Sequence, residues 1–248
     1  MKFPNTARFA AALILLNTAA RSNADELPAP FEAEYEGVKF PFSARATIAL
    51  QRIGDYYRYS MRGSVRAAFF KWTDVYDCSL LHIQGNEFFP VEYVHRYSRE
   101  PDRNILARFD WKHRKAHMMR GDGTAQDIGE LPPIAWDLMS VQVRLRADVA
   151  AANRGAKLSY DVVEKDQVKK RHLTVEGLDD AQLNERTMKV MKAETEGGKH
   201  RHRFWFAKNY AWLPVRVSID GVSLDLVSPP EGAARAAAPA GEAPPSCQ

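Results

Sequence analysis

The sequence predicts a mainly β protein, a long antiparallel meander curled into a barrel or half-barrel, with one substantial helix. Three observations support this fold class. Apolar and polar residues alternate with period two along most of the chain, as expected for half-buried strands. Short turn signals, such as Gly85-Asn86 and Gly121-Asp122-Gly123, separate these segments. One long segment has helical periodicity, and an antiparallel sheet of ten or more strands tends to curl or close.

The alternating segments define twelve predicted strands, joined by turns short enough for consecutive strands to pair as antiparallel neighbours. They lie at residues 31–39, 43–53, 55–62, 73–83, 87–98, 104–111, 115–120, 157–165, 168–176, 186–195, 200–207 and 213–226. The last segment contains Asp220-Gly221, a pair that suits a tight hairpin because it tolerates a positive φ. Between the third and fourth strands, residues 65–72 place apolar side chains on one helical face, which leaves a short helix as an alternative there.

The predicted helix covers about residues 134–151. Leu138, Leu145 and Val149 belong to an apolar stripe at helical spacing, and the arginines of the segment fall toward the other side. We therefore expect this helix to pack its apolar stripe on or across the sheet.

Residues 1–24 have the features of a secretory signal peptide. Basic residues precede an apolar run at 9–16, which is too short to span a membrane, and small residues follow it. Ser22-Asn23-Ala24 matches a cleavage pattern, so Ala24 would end the signal and Asp25 would begin the mature chain; Ala20 is the alternative cleavage position. We expect export to the periplasm and no transmembrane span after cleavage.

The charge balance argues against nucleic acid as a partner. The whole chain has 35 Lys and Arg against 31 Asp and Glu, but three of the bases lie within residues 1–24. The mature chain therefore carries 32 bases against 31 acids, a net charge of about +1. Such a chain has no global electrostatic footprint for nucleic acid.

The mature chain is predicted to be one domain followed by a tail. Residues 25–228 form a single antiparallel β-domain of a length that needs no cross-links for stability. Residues 229–248 are rich in Pro, Ala and Gly and are predicted to be a disordered tail. Two alternatives remain for the cysteines: a buried Cys78 with an incidental Cys247, or a disulfide that joins the tail to the domain in an oxidising compartment.

No histidine pattern predicts a metal centre. His113 and His117 fall on a strand-turn-strand pattern and lack the neighbouring Glu of a zinc-protease motif. His200 and His202 point to one face of a predicted strand, but no third ligand is identifiable. We predict neither a metal nor another cofactor.

Catalytic motifs are also absent from the sequence. It contains no nucleophile elbow and no phosphate-binding glycine loop. Asp74 with Asp77, or Asp179 with Asp180, would supply the carboxylate pair of a hydrolase, but such pairs are common on protein surfaces. We predict a non-enzymatic protein and keep a hydrolase as the least favoured alternative.

Aromatic residues crowd the first hundred positions and suggest a ligand-binding surface. A curved sheet with an aromatic concave face would suit an amphiphile, because small-molecule pockets are mostly apolar with few polar groups. The candidate ligand-binding residues are Tyr57, Tyr59, Trp72, Trp111, Trp136 and Trp205. A closed core built from the same aromatic residues is the simpler interpretation.

The segment 199–217, KHRHRFWFAKNYAWLPVRV, first suggests a cationic binding stripe. Its period-two pattern and the break at Asn209 favour a hairpin of two late strands instead. Trp205 points away from the face that carries Phe204 and Phe206. Whether Trp205 lies in a closed core or beside an open cavity is therefore informative about function.

The order of several short motifs is also informative. In chain order these are Pro30-Phe31-x-Ala33-x-Tyr35, Pro90-Val91-x-Tyr93, Phe109-Asp110-Trp111, Asp137-x-x-Ser140, Trp205-x-Ala207 and Leu213-Pro214-Val215-Arg216. Over residues 28–228 this order resembles the bacterial exported family catalogued as domain of unknown function 3108. The resemblance implies an exported, mainly antiparallel β-domain and supplies no catalytic residue. The last two motifs are also similar to late strands of periplasmic lipoprotein carriers, which implies a lipid or other amphiphile as ligand.

Two functional hypotheses follow. The first is an exported, non-enzymatic β-domain that binds a lipid or other amphiphile between the curved sheet and the helix at 134–151. The second is a structural or interaction module in envelope or surface-polysaccharide assembly, with an envelope protein as partner. A continuous apolar cavity favours the first hypothesis, and a filled interior favours the second.

Overall fold

The computed structural model describes residues 28–39, 42–67, 70–183, 186–196, 201–219, 222–228, 230 and 245–247. The predicted signal peptide at 1–24, with its cleavage position at Ala24 and Asp25, lies outside these residues, as does most of the predicted tail at 229–248. Within the described residues, none of the helical segments is long and apolar enough to span a membrane.

Fourteen strands and one α-helix make up the regular structure of the described residues. The strands are β1 (Phe31–Lys39), β2 (Phe42–Ile53), β3 (Tyr56–Ala67), β4 (Phe70–Gln84), β5 (Glu87–Tyr97), β6 (Ile105–Asp110), β7 (Lys115–Arg120), β8 (Ala125–Ile128), β9 (Lys157–Glu164), β10 (Gln167–Leu183), β11 (Arg186–Thr195), β12 (His202–Ala207), β13 (Leu213–Ile219) and β14 (Val222–Leu226). The helix α1 is Ser140–Ala151, and two short 3₁₀ turns lie at Pro101–Arg103 and Lys208–Tyr210.

All fourteen strands form one antiparallel sheet in the order β8-β7-β6-β5-β4-β3-β2-β1-β14-β13-β12-β11-β10-β9. The chain builds it as two meanders, which join where Tyr35 of β1 lies opposite Leu226 of β14. The sheet curls without closing, since β8 and β9 are its edges. Near these edges the Gln126 side chain donates to the carbonyl of Asp166, at 3.2 Å. The predicted antiparallel, barrel-like fold is confirmed in its half-barrel form.

The main core fills the space between the sheet and α1. We call the face of the sheet toward α1 the inner face. Val143, Leu145 and Val149 of the helix are buried in one cluster with Leu50 of β2 and Leu81 of β4. Close packing of this kind leaves little free volume between helix and sheet.

The helix begins at Ser140 instead of near residue 134, because its predicted first turn is used elsewhere. The Trp136 N–H donates to the Asp161 carbonyl at 2.9 Å, and the Trp136 carbonyl accepts from the Val163 N–H at 2.7 Å. The Asp137 carboxylate then accepts the backbone N–H of Ser140 at 2.9 Å. The segment before the helix is therefore held as a bridge to β9.

Two other local predictions change in the structure. The alternative helix at residues 65–72 is wrong, because β3 continues to Ala67 and β4 begins at Phe70, with Val65 opposite Thr73. Cross-strand pairing has overridden the local helical pattern. The segment 213–226 is two strands, whose ends pair Ile219 with Val222. That pairing is the predicted hairpin, although Asp220-Gly221 lies outside the described residues.

The two cysteines form a disulfide, which resolves the alternative left open by the sequence. Cys78 of β4 and Cys247 are bonded with their Cα atoms 5.7 Å apart. They belong to a second, smaller apolar cluster with Leu80 and Val94. Residues 245–247 therefore lie against the outer face of the sheet, which is the face opposite α1.

Candidate functional site

Two of the predicted ligand-binding aromatic residues lie together in the closed core. Tyr57 and Tyr59 are neighbours on the inner face of β3, and both are buried. The Tyr57 hydroxyl donates to the carbonyl of Pro28 at 2.8 Å, and the Tyr59 hydroxyl donates to Oε1 of Gln142 in α1 at 3.4 Å. Burial raises the pKa of Tyr59 to about 12, so this phenol stays a hydrogen-bond donor at neutral pH.

The predicted tryptophans do not join these tyrosines in one pocket. Trp111 donates to the carbonyl of Pro90 at 2.7 Å, and Trp136 packs edge-on against another aromatic ring. Trp205 is half-buried, and its indole N–H donates to Asp179 at 3.0 Å beside the cations of β11 and β13. Trp72 lies in β4, but its side chain is outside the described residues. Trp205 thus marks a polar part of the surface.

A cleft of 260 Å³ lies where α1 meets the sheet, and we call it the seam cleft. It is lined by Glu87, Phe88, Phe89, Ile134, Trp136, Arg144, Asp148, Ser159, Tyr160 and Asp161. These residues come from β5, the bridge before the helix, α1 and β9. The bridge places Trp136 in the wall with its ring 5.5 Å from that of Phe88, and it leaves Ile134 41% exposed.

The charged groups of the seam cleft are largely paired with one another. Arg144 and Asp148 form an ion pair one helical turn apart, at 2.9 Å. The Tyr160 hydroxyl donates to Asp148 at 2.8 Å, and burial raises the pKa of that phenol, so the proton stays on Tyr160. Asp161 pairs with Lys170 at 2.9 Å. The cleft therefore has a mixed lining, in which the aromatic rings and Ile134 lie beside these charged groups.

A buried polar cluster that sequence reasoning missed lies on the inner face of β4 and β5. Asp77 accepts the Tyr93 hydroxyl at 2.8 Å and contacts Nδ1 of His95 at 2.7 Å. Burial and the Asp77 charge raise the pKa of Tyr93. Only the register of β4 against β5 reveals this cluster, because it places Asp77 directly opposite His95. The neighbouring Ser79 donates to Asp137 instead of to His95, so a Ser-His-Asp relay is not formed by these groups.

Asp137 fixes the start of the helix to the sheet. Its buried carboxylate accepts the Ser79 hydroxyl at 2.7 Å and the backbone N–H groups of Met139 and Ser140 at 2.8 and 2.9 Å. Burial raises the pKa of Asp137, although these hydrogen bonds act in the opposite direction. The carboxylate is therefore a positioning group for α1.

The carboxylate pairs suggested by the sequence are divided between different surroundings. Asp74 is exposed, whereas Asp77 is buried on the other face of β4. Asp179 accepts from Trp205, while Asp180 pairs with Lys189 at 2.9 Å. None of these pairs converges on a shared site.

Arg146 is a buried cation, contrary to the expectation that the helix arginines face away from the core. Arg146 is only 6% exposed. Its Nη2 donates to the Ala211 carbonyl at 2.8 Å, and its guanidinium lies 4.6 Å from the centre of the Phe31 ring. Nε and Nη1 have no hydrogen-bond partner in the described part of the molecule. Burial lowers the pKa of Arg146. The helix is enclosed on more sides than one apolar stripe predicts.

No group of three or more metal-ligating side chains is present among the described residues. His113 contacts Asp110 at 2.6 Å, and His117 contacts Asp127 at 2.7 Å, so each histidine has its own carboxylate partner. His200 lies outside the described residues.

Comparisons with known proteins agree with this architecture. The sequence model of the family described as "Protein of unknown function (DUF3108)" matches residues 30–222. Among solved structures, the chain is similar to the crystal structure of a β-barrel-like protein of the domain of unknown function DUF1849 from Brucella abortus. The TM-score is 0.52 at 9% sequence identity, over 80% of this chain and 94% of that chain, so the likeness concerns the fold alone. The search of curated proteins found no match.

Proposed function

We propose that this chain, which belongs to the protein family of unknown function DUF3108, is an exported, non-enzymatic periplasmic domain that binds a lipid or other amphiphile in the seam cleft. The observation that carries the proposal is the cleft itself. It is an opening between the helix and the sheet, beside the edge strand β9, with aromatic rings in its wall.

The walls of the seam cleft suit an apolar group with an uncharged end. Phe88, Phe89, Trp136 and Tyr160 supply flat apolar surface, and Ile134 extends it to the opening. Small-molecule sites are about 300–1,000 Å³ in volume, and the 260 Å³ cleft is slightly smaller than this range. We therefore expect it to hold one acyl chain or one ring system of the ligand, while the rest stays outside.

The disulfide supports the proposed export. Disulfides persist in oxidising compartments and are rare in the reducing cytosol. Cys78 and Cys247 are bonded and buried, although the sequence separates them by 169 residues. If the chain reaches the periplasm, the fractionated protein will contain no thiol that reacts before reduction, and recovery of reduced protein from the cytosol alone would contradict export.

Ligand binding has a test with a matched control. The full chain is titrated with a fluorescent fatty-acid probe, and the variants Ile134→Lys and Leu138→Lys are compared. Both residues are exposed and precede α1, at 41% and 46%, but only Ile134 lines the seam cleft. We expect the probe to bind the wild type. Its affinity should fall at least tenfold in Ile134→Lys and stay within twofold of wild type in Leu138→Lys. An equal effect of the two variants, or no probe uptake by the wild type, would refute the proposal.

A second candidate function rests on the filled interior. The inner face of the sheet and α1 form a packed core, which a structural or interaction module of the envelope or of surface-polysaccharide assembly requires and an internal lipid carrier does not. This candidate predicts no probe binding and a specific envelope protein recovered after crosslinking in living cells. The two measurements together separate the candidates.

A further inference from the structure

A second concave site lies on the outer face of β1–β5, separate from the seam cleft. On β4, Tyr76 and Cys78 alternate with Asp77 and Ser79, and Ser79 contacts the start of α1 on the inner face. The outer positions line a groove of 880 Å³. We call it the arginine groove, because four arginines contribute to it: Arg45, Arg58, Arg62 and Arg96.

The strand register brings two of these arginines to either side of an aromatic ring. Arg62, Tyr76 and Arg96 lie directly across β3, β4 and β5 from one another. The Arg62 guanidinium is 5.8 Å from the centre of the Tyr76 ring. Two planar cations and a ring therefore share one row of the groove.

Three of the four guanidinium groups have no carboxylate partner within the described part of the chain. Arg45 pairs with Glu36 at 2.8 Å, but no carboxylate of the described residues forms an ion pair with Arg58, Arg62 or Arg96. Arg58 donates Nη2 to the Ser246 carbonyl at 2.8 Å, and its Nε is buried with no hydrogen-bond partner in the described part of the molecule. A buried donor without an acceptor is rare in folded proteins, and this one lies in an arginine that lines the groove.

Acidic residues also line the groove, and two of the three lie toward one side. Glu34, Glu36 and Asp74 stand against four arginines, which leaves a net charge of about +1. Glu34 and Glu36 belong to β1, whereas the unpaired arginines belong to β3 and β5. Asp74 shares the outer face of β4 with Tyr76, so three arginines and one carboxylate lie on the side of the groove away from β1.

The far wall of the groove is formed by Ser246 and Cys247, which the disulfide fixes in place. Ser246 and Cys247 line the groove, and both donate to the Glu92 carboxylate, at 3.2 and 3.0 Å. The Tyr76 hydroxyl donates to the Cys247 carbonyl at 3.2 Å. This wall gives the groove a closed side that a flat sheet surface would not have.

We infer that the arginine groove binds a phosphate group of an organic ligand, with Arg58, Arg62 and Arg96 as donors and the Tyr76 ring against the organic part. Guanidinium groups present paired donors that match phosphate oxygens, and such charge-assisted bonds are stronger than neutral ones. The 880 Å³ volume exceeds what a single ion needs, so the phosphate belongs to a larger molecule. Its source is a soluble sugar phosphate or a phospholipid headgroup.

The test uses the full, oxidised chain with two sources of phosphate. Calorimetry measures binding of glucose 1-phosphate against glucose, and co-sedimentation measures binding to phosphatidylglycerol vesicles against phosphatidylcholine vesicles. The double variant Arg62→Gln/Arg96→Gln is compared with Arg52→Gln, an arginine of β2 that does not line the groove. Circular dichroism and a thiol assay check that each variant is folded and oxidised.

We expect the wild type to prefer the phosphorylated probe at least tenfold, the double variant to lose at least tenfold in affinity, and Arg52→Gln to stay within twofold. Binding to the sugar phosphate identifies a soluble source, and binding to anionic vesicles alone identifies the headgroup. Equal binding of phosphorylated and uncharged probes, or an equal effect of Arg52→Gln, would overturn the inference. Because Ile134 of the seam cleft is intact in these variants, the result is independent of the proposed amphiphile site.

Discussion

The inner and outer faces of β4 are both buried, but they are covered in different ways. Asp77, Ser79 and Leu81 face the main core and α1, while Cys78 and Leu80 lie beneath the outer cluster with Cys247. All five consecutive residues are buried, although successive side chains of a strand point to opposite faces. A strand buried on both sides must therefore have a second covering layer. Here that layer is the segment 245–247.

The two layers also depend on different interactions. The inner layer is an α-helix that packs through an apolar cluster and is anchored by the buried Asp137. The outer layer is the short stretch 245–247, which is held by one disulfide and a few hydrogen bonds to Glu92, Arg58 and Tyr76. The inner layer should thus respond to loss of buried hydrogen bonds, and the outer layer to reduction.

The largest effect is expected at the inner anchor. Asp137→Ala leaves the Ser79 hydroxyl and two backbone N–H groups buried without their acceptor, each at a cost of about 1–3 kcal/mol. We expect the free energy of unfolding to fall by about 4 kcal/mol, measured by urea denaturation.

Asp137→Asn is the control for this variant, because it keeps an acceptor at the same place. Burial raises the pKa of Asp137, so the ionised carboxylate costs the native state stability as the pH rises through that pKa. The stability of Asp137→Asn should therefore improve relative to wild type as the pH rises from about 4 through the raised pKa of Asp137. An alanine variant as stable as the asparagine variant would contradict the anchoring role.

A smaller loss is expected when the outer layer is released. The double variant Cys78→Ser/Cys247→Ser removes a cross-link that closes a long loop, and we expect the free energy of unfolding to fall by about 3 kcal/mol. Near-ultraviolet circular dichroism should keep its native shape, because the main core and α1 do not involve the disulfide. Collapse of that signal would mean that the inner layer depends on the outer one. Reduced wild type is the matched comparison.

The smallest effect is expected at the buried cation of the inner face. Arg146→Met replaces a guanidinium that has two unpartnered nitrogens by an apolar side chain, and the exposed Ala211 turn can return its carbonyl to water. We expect the free energy of unfolding to rise by about 1 kcal/mol. The control Arg144→Met breaks an exposed ion pair on the same helix and should lower it by about 0.5 kcal/mol. If Arg146→Met lowered the free energy of unfolding more than Arg144→Met does, the buried cation would be shown to stabilise the fold.

The strands were predictable because period-two alternation is a local property, and nearly all predicted strands are found. The helix start was not, because Trp136 is paired with β9, a partner that follows it in the chain and that local periodicity cannot reveal. The helical alternative for residues 65–72 was wrong for the same reason, because the pairing of β3 with β4 determines their structure. The short strand Ala125–Ile128 was missed, because four mostly polar residues give no alternation that could be recognised.

The candidate sites were predictable only in part. Trp136 was identified as an aromatic ligand-binding candidate and lines the seam cleft. Phe88 and Tyr160 line it from strands far apart in the sequence, so their convergence had no local signal. Arg62 and Arg96 meet across Tyr76 only through strand register, and the wall beside them requires the disulfide, whose pairing the sequence left open.

The pairing of β1 with β14 has a consequence for the order in which the molecule is made. The two strands lie side by side near the centre of the sheet, yet in chain order β1 precedes and β14 follows all the other described strands. Pairings between distant segments form slowly, and a strand without its neighbour presents unpaired N–H and C=O groups to other chains. We therefore expect a chain interrupted before residue 222 to leave β1 without its β14 neighbour. A strand from the middle of the complete sheet then becomes an unpaired edge that can pair with other chains and aggregate.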